Sequence, residues 1–383
     1  MSFRAPVSLV LAGFWWFILV GASQSLNGPY ETALKELGRL PEGGQGKLVA
    51  AFFAGSTAMI LLTGWLSTKV PRLGLLWGVA GAFSTGALCA SLAPAYGWLC
   101  VAAFLMGCGY GGLTVVFNAE FSLVFTGPRT TAWLSALNGF WGIGAVIGPK
   151  ILGNYVRTPM VAHQWLAAGT LVGIALLAGV RRLGDMPKPE PGEKHAAMPV
   201  AIWAIAATMA IYVGTEVTTG ARMADFLVTA RNLNLEQATS LTSMMWLAFT
   251  VSRFALGPVT QWLTPPVLLA TSTFGALGAV ALIMAGWTQL GFVLLGVAMA
   301  PIFPALLGWA TTLTATPHRA SSLIIAAASL AAVMLPQVAA MSMSGDEARF
   351  PWVIGIGFCL LLALIAVLSR MVGKKTEKSL STP

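Results

Sequence analysis

Glu216 stands in "IYVGTEVTTG" (211–220), directly after the apolar run "MPVAIWAIAATMAIYVG". An acid at the centre of a membrane helix costs about 2.5–3.5 kcal/mol on an insertion scale, so a carboxylate there needs a reason. Removal from water favours the protonated form of a carboxyl, which makes such a group a reversible proton carrier. It could equally accept hydrogen bonds from a bound hydroxyl or hold a cation. The blander account is a structural carboxyl paired with a neighbouring helix.

The amides are the next group with chemistry to offer. An unpaired amide in a dry helix bundle is costly, and it presents both donor and acceptor to a hydroxylated solute. Asn118, Asn138, Gln24, Asn27 and Gln337 fall within or at the ends of apolar stretches and are expected to bind substrate. Interhelical bonding is the alternative for each. Trp141 and Trp246 add aromatic faces suited to the apolar side of a sugar ring, whereas Trp15, Trp98, Trp165 and Trp287 read as interface anchors. Glu120 lies about 200° around a helix from Asn118; it is expected to pair with Arg129 or another Arg in a gate. Arg222 (with Asp225) and Arg253 complete the gating candidates, read as lying outside the seventh span and at the end of the eighth. His163, His195 and His318 have no companions at metal-ligand spacing, and no phosphate-cradling Gly-Lys-Ser/Thr motif occurs. No cofactor or metal is expected.

The elements that must position these residues are helices in lipid. Apolar residues make up 57% of the chain and charged ones 9%, and the mean hydropathy is +0.79; a water-soluble chain carries roughly a quarter charged residues. Turn chemistry at Pro71, "APAYG", "GPR", "TPP" and "TPHR" marks off twelve spans of membrane length: 6–26, 46–67, 72–93, 96–119, 131–153, 161–181, 198–219, 237–259, 265–287, 289–314, 319–342 and 349–372. The first is too long for a cleaved signal and is expected to be retained. With the N-terminus cytoplasmic, 14 Lys and Arg face inward and 8 outward, as the positive-inside rule requires. Orientation thus accounts for the net charge of +9, and no nucleic-acid partner is implied. Cys89, Cys100, Cys108 and Cys359 read as small buried hydrophobes.

A charged, Pro-rich stretch, "RRLGDMPKPEPGEKH", separates six spans from six. The expected domains are an N-terminal bundle (1–180), a cytoplasmic linker (181–196), a C-terminal bundle (197–373) and a cytoplasmic tail (374–383). "PRTTAWLSALNGFWGIGAVIGP" and "PHRASSLIIAAASLAAVMLPQ" share a leading Pro-x-Arg or Pro-Arg, small residues and a buried Pro. "GWLSTKVPR" and "GPVTQWLTP" match in the same way. The offsets are 190 and 193 residues, about half the chain, as in transporters built from parallel six-helix repeats.

These stretches resemble the major facilitator superfamily. "GYGGLTVVFNAE", "LNGFWGIGAVIGP" and "YVGTEVTTG" followed by "LTSMMWLAFTVSRFALG" are similar to helices 4, 5, 7 and 8 of its fucose-permease-like branch of sugar–proton symporters. The resemblance implies an all-α polytopic membrane protein with twelve transmembrane helices in two six-helix pseudo-repeats, able to work as a monomer. Four features depart from that pattern: Thr68 replaces the acid of the helix 2–3 loop, Thr114 stands four before Asn118, the first span holds no acid, and "GARMADFL" (220–227) lacks the Trp that relatives often show just after helix 7. The expected function is secondary transport of a small polar, sugar-like solute across a bacterial inner membrane by alternating access. A proton held by Glu216, or a sodium ion, would drive it, and both termini would be cytoplasmic. Export of drugs, metabolites or siderophores on the same fold is the alternative. A scaffold or a membrane enzyme is disfavoured, because no large soluble domain and no nucleophile–base constellation occurs.

Overall fold

A computed structural model of the chain describes residues 7–67, 69–125, 128–180, 198–255, 263–314, 317–343 and 345–380. It contains thirteen α-helices: α1 (Val7–Glu36), α2 (Lys47–Leu66), α3 (Arg72–Ser91), α4 (Tyr96–Val124), α5 (Pro128–Asn154), α6 (Met160–Ala178), α7 (Val200–Thr229), α8 (Leu235–Ala255), α9 (Pro265–Met284), α10 (Thr288–Met299), α11 (Ile302–Thr312), α12 (Pro317–Met343) and α13 (Phe350–Leu380). No strand occurs among the described residues. Helices α10 and α11 form one apolar stretch, Thr288–Ala310, so the thirteen helices supply the twelve expected spans. Nine of those spans are long and apolar enough to cross a membrane by length and composition. The other three, α2, α5 and α8, complete the set.

Four helices overrun their expected ends. α1 continues through Gly28 and Pro29 to Glu36, α4 to Val124, α7 to Thr229, and α13 to Leu380, into the expected tail. Proline costs a membrane helix little where neighbours satisfy the backbone it frees, so Pro29 does not end α1. Glu31 therefore lies inside the first helix, which the sequence reading left without an acid. Arg222 and Asp225 lie inside α7, not beyond it.

Contacts group the chain into two compact units, Met1–Pro187 with Gly220–Leu247, and Lys188–Thr219 with Ala248–Pro383. In the first unit α1 packs on α5 and α6, and α4 packs on α2 and α3. The closest approaches are made by glycine in reciprocal pairs. A Cβ at Gly21 would collide with the Trp141 carbonyl, and one at Gly144 with the Ile18 carbonyl, so α1 and α5 meet backbone to backbone. Gly55 against Phe104 and Gly107 against Phe52 repeat the device between α2 and α4. These are the Gly-rich stretches "GFWGIGAVIG" and "MGCGYGG" used as small residues are used in membrane bundles. Two successive indoles tie α1 to α6: Trp15 Nε1 donates to the Gly169 carbonyl at 2.8 Å and Trp16 Nε1 to the Gly173 carbonyl at 3.2 Å. Trp15 is thus an interhelical donor, whereas Trp98, Trp165 and Trp287 are exposed as anchors should be.

In the second unit α9 packs on α10, α11 and α13. Gly214 of α7 accommodates Leu335 of α12, and Gly357 of α13 accommodates Thr215 of α7. The tenth span, expected to be continuous, is interrupted at Ala300 and Pro301. Both keep right-handed helical torsions, so the chain is interrupted without turning back. Proline has no N–H to give to the residue four before it. Pro301 therefore leaves the Val297 carbonyl without its helix donor, and Pro304 does the same to Ala300. Side chains from α8 take over: Ser252 Oγ donates to Val297 at 3.2 Å and Arg253 Nε to Ala300 at 3.3 Å.

Candidate functional site

The first unit gathers the expected amides and indoles. Asn118 on α4 and Asn138 on α5 each donate Nδ2 to the carbonyl one turn back, Thr114 and Leu134, at 2.8 Å. Asn138 Nδ2 also reaches Asn118 Oδ1 at 3.5 Å, so the two amides are neighbours across the helix pair. On α1, Asn27 is 1% exposed, and neither its Oδ1 nor its Nδ2 has a hydrogen-bond partner. Gln24 Oε1, one turn earlier, is buried in the same condition. Trp141 of α5 and Trp246 of α8 meet edge to face, with ring centroids 5.7 Å apart. Trp246 fits because Gly220 of α7 has no Cβ to fill the space its ring occupies.

At the Glu36 end of α1 the same unit holds a buried charge cluster. Glu31 accepts from the backbone N–H groups of Gly46 and Leu48, both at 2.7 Å, and from the Tyr96 hydroxyl at 3.0 Å. Asp225 accepts from Lys35 Nζ at 2.8 Å, from Thr229 Oγ1 at 3.2 Å and from Gln45 Nε2. Arg222 is ion-paired with Asp225 at 3.5 Å, and its charge also acts on Glu31. Arg222 and Asp225 are each 2% exposed, and Gly28 brings α1 against the backbone of Ala221 beside them. Arg222 and Asp225, read as lying outside the seventh span, are thus buried within its helix. A second buried pair joins Glu120 of α4, 0% exposed, to Arg72 at the start of α3. Glu120 thus has an Arg partner as expected. The side chain of Arg129 and the whole of Thr68 lie outside the described residues.

In the second unit Glu216 is 7% exposed. Tyr212 stands one helical turn earlier on α7, and its hydroxyl donates to the Met299 carbonyl at 2.8 Å. Arg253 stacks over the Phe249 ring, 4.3 Å from its centroid. It lies in the last turn of α8, at the helix end where it was expected, and its Nε donates to the interrupted tenth span. Gln337 lies half-buried beside Pro336 on α12.

The family model "Major Facilitator Superfamily" matches residues 7–336. The chain belongs to the Major Facilitator Superfamily. It is a secondary transporter and not an enzyme. Solved structures share the facilitator fold across nearly the whole chain. A D-xylose–proton symporter matches with TM-score 0.77 and 12% identity, covering 94% of this chain and 97% of that one. The Escherichia coli fucose:proton symporter matches with TM-score 0.63 and 14% identity, covering 96% and 99%. A nucleoside transporter matches with TM-score 0.72 and 12% identity, covering 96% and 99%. No curated protein matches the chain. The superfamily reading of the motifs therefore holds, and at these identities the structures speak to fold alone.

Glu31, Lys35, Gln45, Tyr96 and Tyr212 escaped the sequence reading. The first two sit past Pro29, where the span was closed too early. Gln45 and Tyr96 lie at helix starts, and their partners are distant in sequence. Tyr212 had a readable signal, since it stands one turn from Glu216 in "IYVGTE".

Proposed function

We propose that this facilitator carries a small polar, sugar-like solute across the inner membrane by alternating access, with a proton taken up at Glu216. Asn27 carries the reading. Leaving a buried polar group unsatisfied costs about 1–3 kcal/mol, and Asn27 leaves both of its amide atoms so, beside Gln24. A hydroxylated solute would satisfy donor and acceptor together. Asn118, Asn138 and Gln337 extend the polar set, and Trp141 and Trp246 offer aromatic faces to an apolar ring face. The halves 1–180 and 197–373, joined by 181–196, move against one another. Arg72–Glu120 and Arg222–Asp225 act as gating pairs, with Arg129 and Arg253. The termini, including 374–383, are cytoplasmic, and the working unit is a monomer.

The test is thermal stabilisation of purified protein by a solute library at pH 5.5 and 7.5. A ligand at a hundredfold excess over its Kd adds about 2.7 kcal/mol. A sugar or related polyol should stabilise wild type in a pH-dependent way. Asn27→Leu should abolish the stabilisation, and Glu216→Gln should abolish only its pH dependence. If stabilisation responds to sodium and not to pH, the coupling ion is sodium. Stabilisation by lipophilic cations alone would overturn the proposal in favour of an exporter.

A further inference from the structure

Arg222 and Asp225 stand three residues apart on α7, and a pair within one helix joins that helix to nothing else. The bonds that cross from Asp225 to other elements come from Lys35, in the last turn of α1, and from Gln45, in the segment 37–46 between α1 and α2. Lys35 holds Oδ1 and Gln45 holds Oδ2, so the two carboxylate oxygens are divided between a helix and a loop. α7 from Gly220 onward belongs to the first unit with α1, α2 and α4, and these bonds lie inside one compact body.

A loop can hold a side chain in place only if the loop itself is held. Gly46, the N-cap of α2, has φ of +80° and offers no side chain to cap the helix. A left-handed cap of this kind suits glycine, but it leaves the first N–H groups of α2 in need of an acceptor from elsewhere. Glu31 supplies it from α1. Its two oxygens accept from the N–H groups of Gly46 and Leu48, each at 2.7 Å, the short end of the range for charge-assisted bonds. A carboxylate at a helix N-terminus is also favoured by the helix dipole. The Tyr96 hydroxyl lies 2.6 Å from the Gly44 carbonyl and 3.0 Å from Glu31 Oε1, and it pins the same stretch to α4. Gln45 is therefore fixed on both sides, through Gly44 by Tyr96 and through Gly46 by Glu31.

We propose that segment 37–46 is a strap that latches α7 to α1, with Gln45 as its catch and Glu31 as the positioning residue that keeps the catch on Asp225. Release of the strap frees the Thr229 end of α7 from α1 at the close approach of Gly28 to Ala221. This deepens, and rests on, the gating reading of Asp225; with both termini cytoplasmic, the strap lies on the outer face.

Thr32 of α1 can report the release. It is buried one turn beyond Gly28 and donates to the Gly28 carbonyl at 3.2 Å. With the four native cysteines replaced by serine, Thr32→Cys is labelled by a membrane-impermeant maleimide in right-side-out vesicles, and the rate is measured. Labelling should be slow while the strap is intact. Gln45→Leu and Glu31→Gln should each raise the rate about tenfold or more, the factor that a hydrogen bond to a charged group is worth. Lys35→Met should raise it less, because the Lys35 side chain is 37% exposed and a wet pair is weak. Glu31 acts through Gln45, so the double variant should label no faster than the faster single one. Lys35→Met and Gln45→Leu act separately, and their factors should multiply. Gln45 is half-buried in a loop, so its variant tests the strap even if Glu31→Gln fails to fold. Labelling of Gln45→Leu at the wild-type rate overturns the proposal, as do Glu31 and Gln45 factors that multiply. Asp225→Asn separates the strap from the reading beneath it. Fast labelling of Asp225→Asn without an effect of Gln45→Leu sinks the strap and leaves Asp225 in the gate. A wild-type rate in Asp225→Asn sinks the gating reading and the strap together. Acceleration seen only in inside-out vesicles would keep the strap and reverse the orientation.

Discussion

Asp225→Asn removes one charge from a buried cluster while keeping the side chain's size. Two ion pairs end on Asp225, and their surroundings differ. In the pair with Arg222 both side chains are 3% exposed. Breaking a buried pair typically costs 3–5 kcal/mol, because the remaining charge is stranded away from water. The Glu31 carboxyl stays close to Arg222, which places the loss at the low end, about 3 kcal/mol. The Lys35 side chain is 37% exposed, and a pair with one wet partner is worth about 0–1 kcal/mol. Asp225→Asn should therefore cost several times what Lys35→Met costs. At about 2 °C per kcal/mol for a large chain, the melting temperature should fall by roughly 6 °C against about 2 °C or less. Added salt should erase the Lys35 effect, since screening acts on exposed charge, and leave the Asp225 effect standing. Equal losses from the two variants, or an Asp225 effect that salt abolishes, would refute the placement of Arg222 and Asp225 in the interior.

Gly144→Ala should destabilise by about 1–3 kcal/mol, the usual range for overpacking, because its Cβ falls on the Ile18 carbonyl. Gly81→Ala, with nothing near its Cβ, should be neutral or stabilise by up to about 1 kcal/mol; melting curves of the two show the contrast or refute the close approach of α1 to α5. Glu120→Gln should cost about 3–5 kcal/mol by breaking the buried pair with Arg72, and adding Arg72→Gln should recover more than half of it. A double variant no more stable than the single one would show that the two side chains are not a pair. Asn27→Leu should raise the melting temperature of the solute-free protein, since it removes two unsatisfied polar atoms from the interior; a fall would identify Asn27 as interhelical glue.

The twelve spans were legible because the turns between them use Gly, Pro and charge, and because lipid demands a minimum apolar length. Where a turn signal lies inside a helix, the same rule misleads. Pro29 follows Gly28, a pair that marks a turn in a soluble chain; here Gly28 receives the backbone of Ala221 and the helix runs on. That one misplaced end hid Glu31 and Lys35, and with them the partner of Asp225. Polarity misled in the same way at α7, where Arg222 and Asp225 looked like a wet end because their compensating charges come from elsewhere in the chain. The interruption of the tenth span was marked by Pro301 and Pro304, but the donors that satisfy it lie on another helix. Glu216, the amides and the two tryptophans were legible one by one, since each is a polar or aromatic exception within an apolar run. The meetings of Asn118 with Asn138 and of Trp141 with Trp246 required the fold.

The most direct test of the central claim is transport by Glu216→Gln in proteoliposomes, using a solute that stabilises wild type. If the Glu216 carboxyl carries the coupled proton, wild type accumulates that solute against its gradient when a pH gradient is imposed. The variant should then exchange labelled for unlabelled solute at a comparable rate but fail to accumulate it. Accumulation by Glu216→Gln at the wild-type level would contradict the account and leave Glu216 a structural carboxyl of α7.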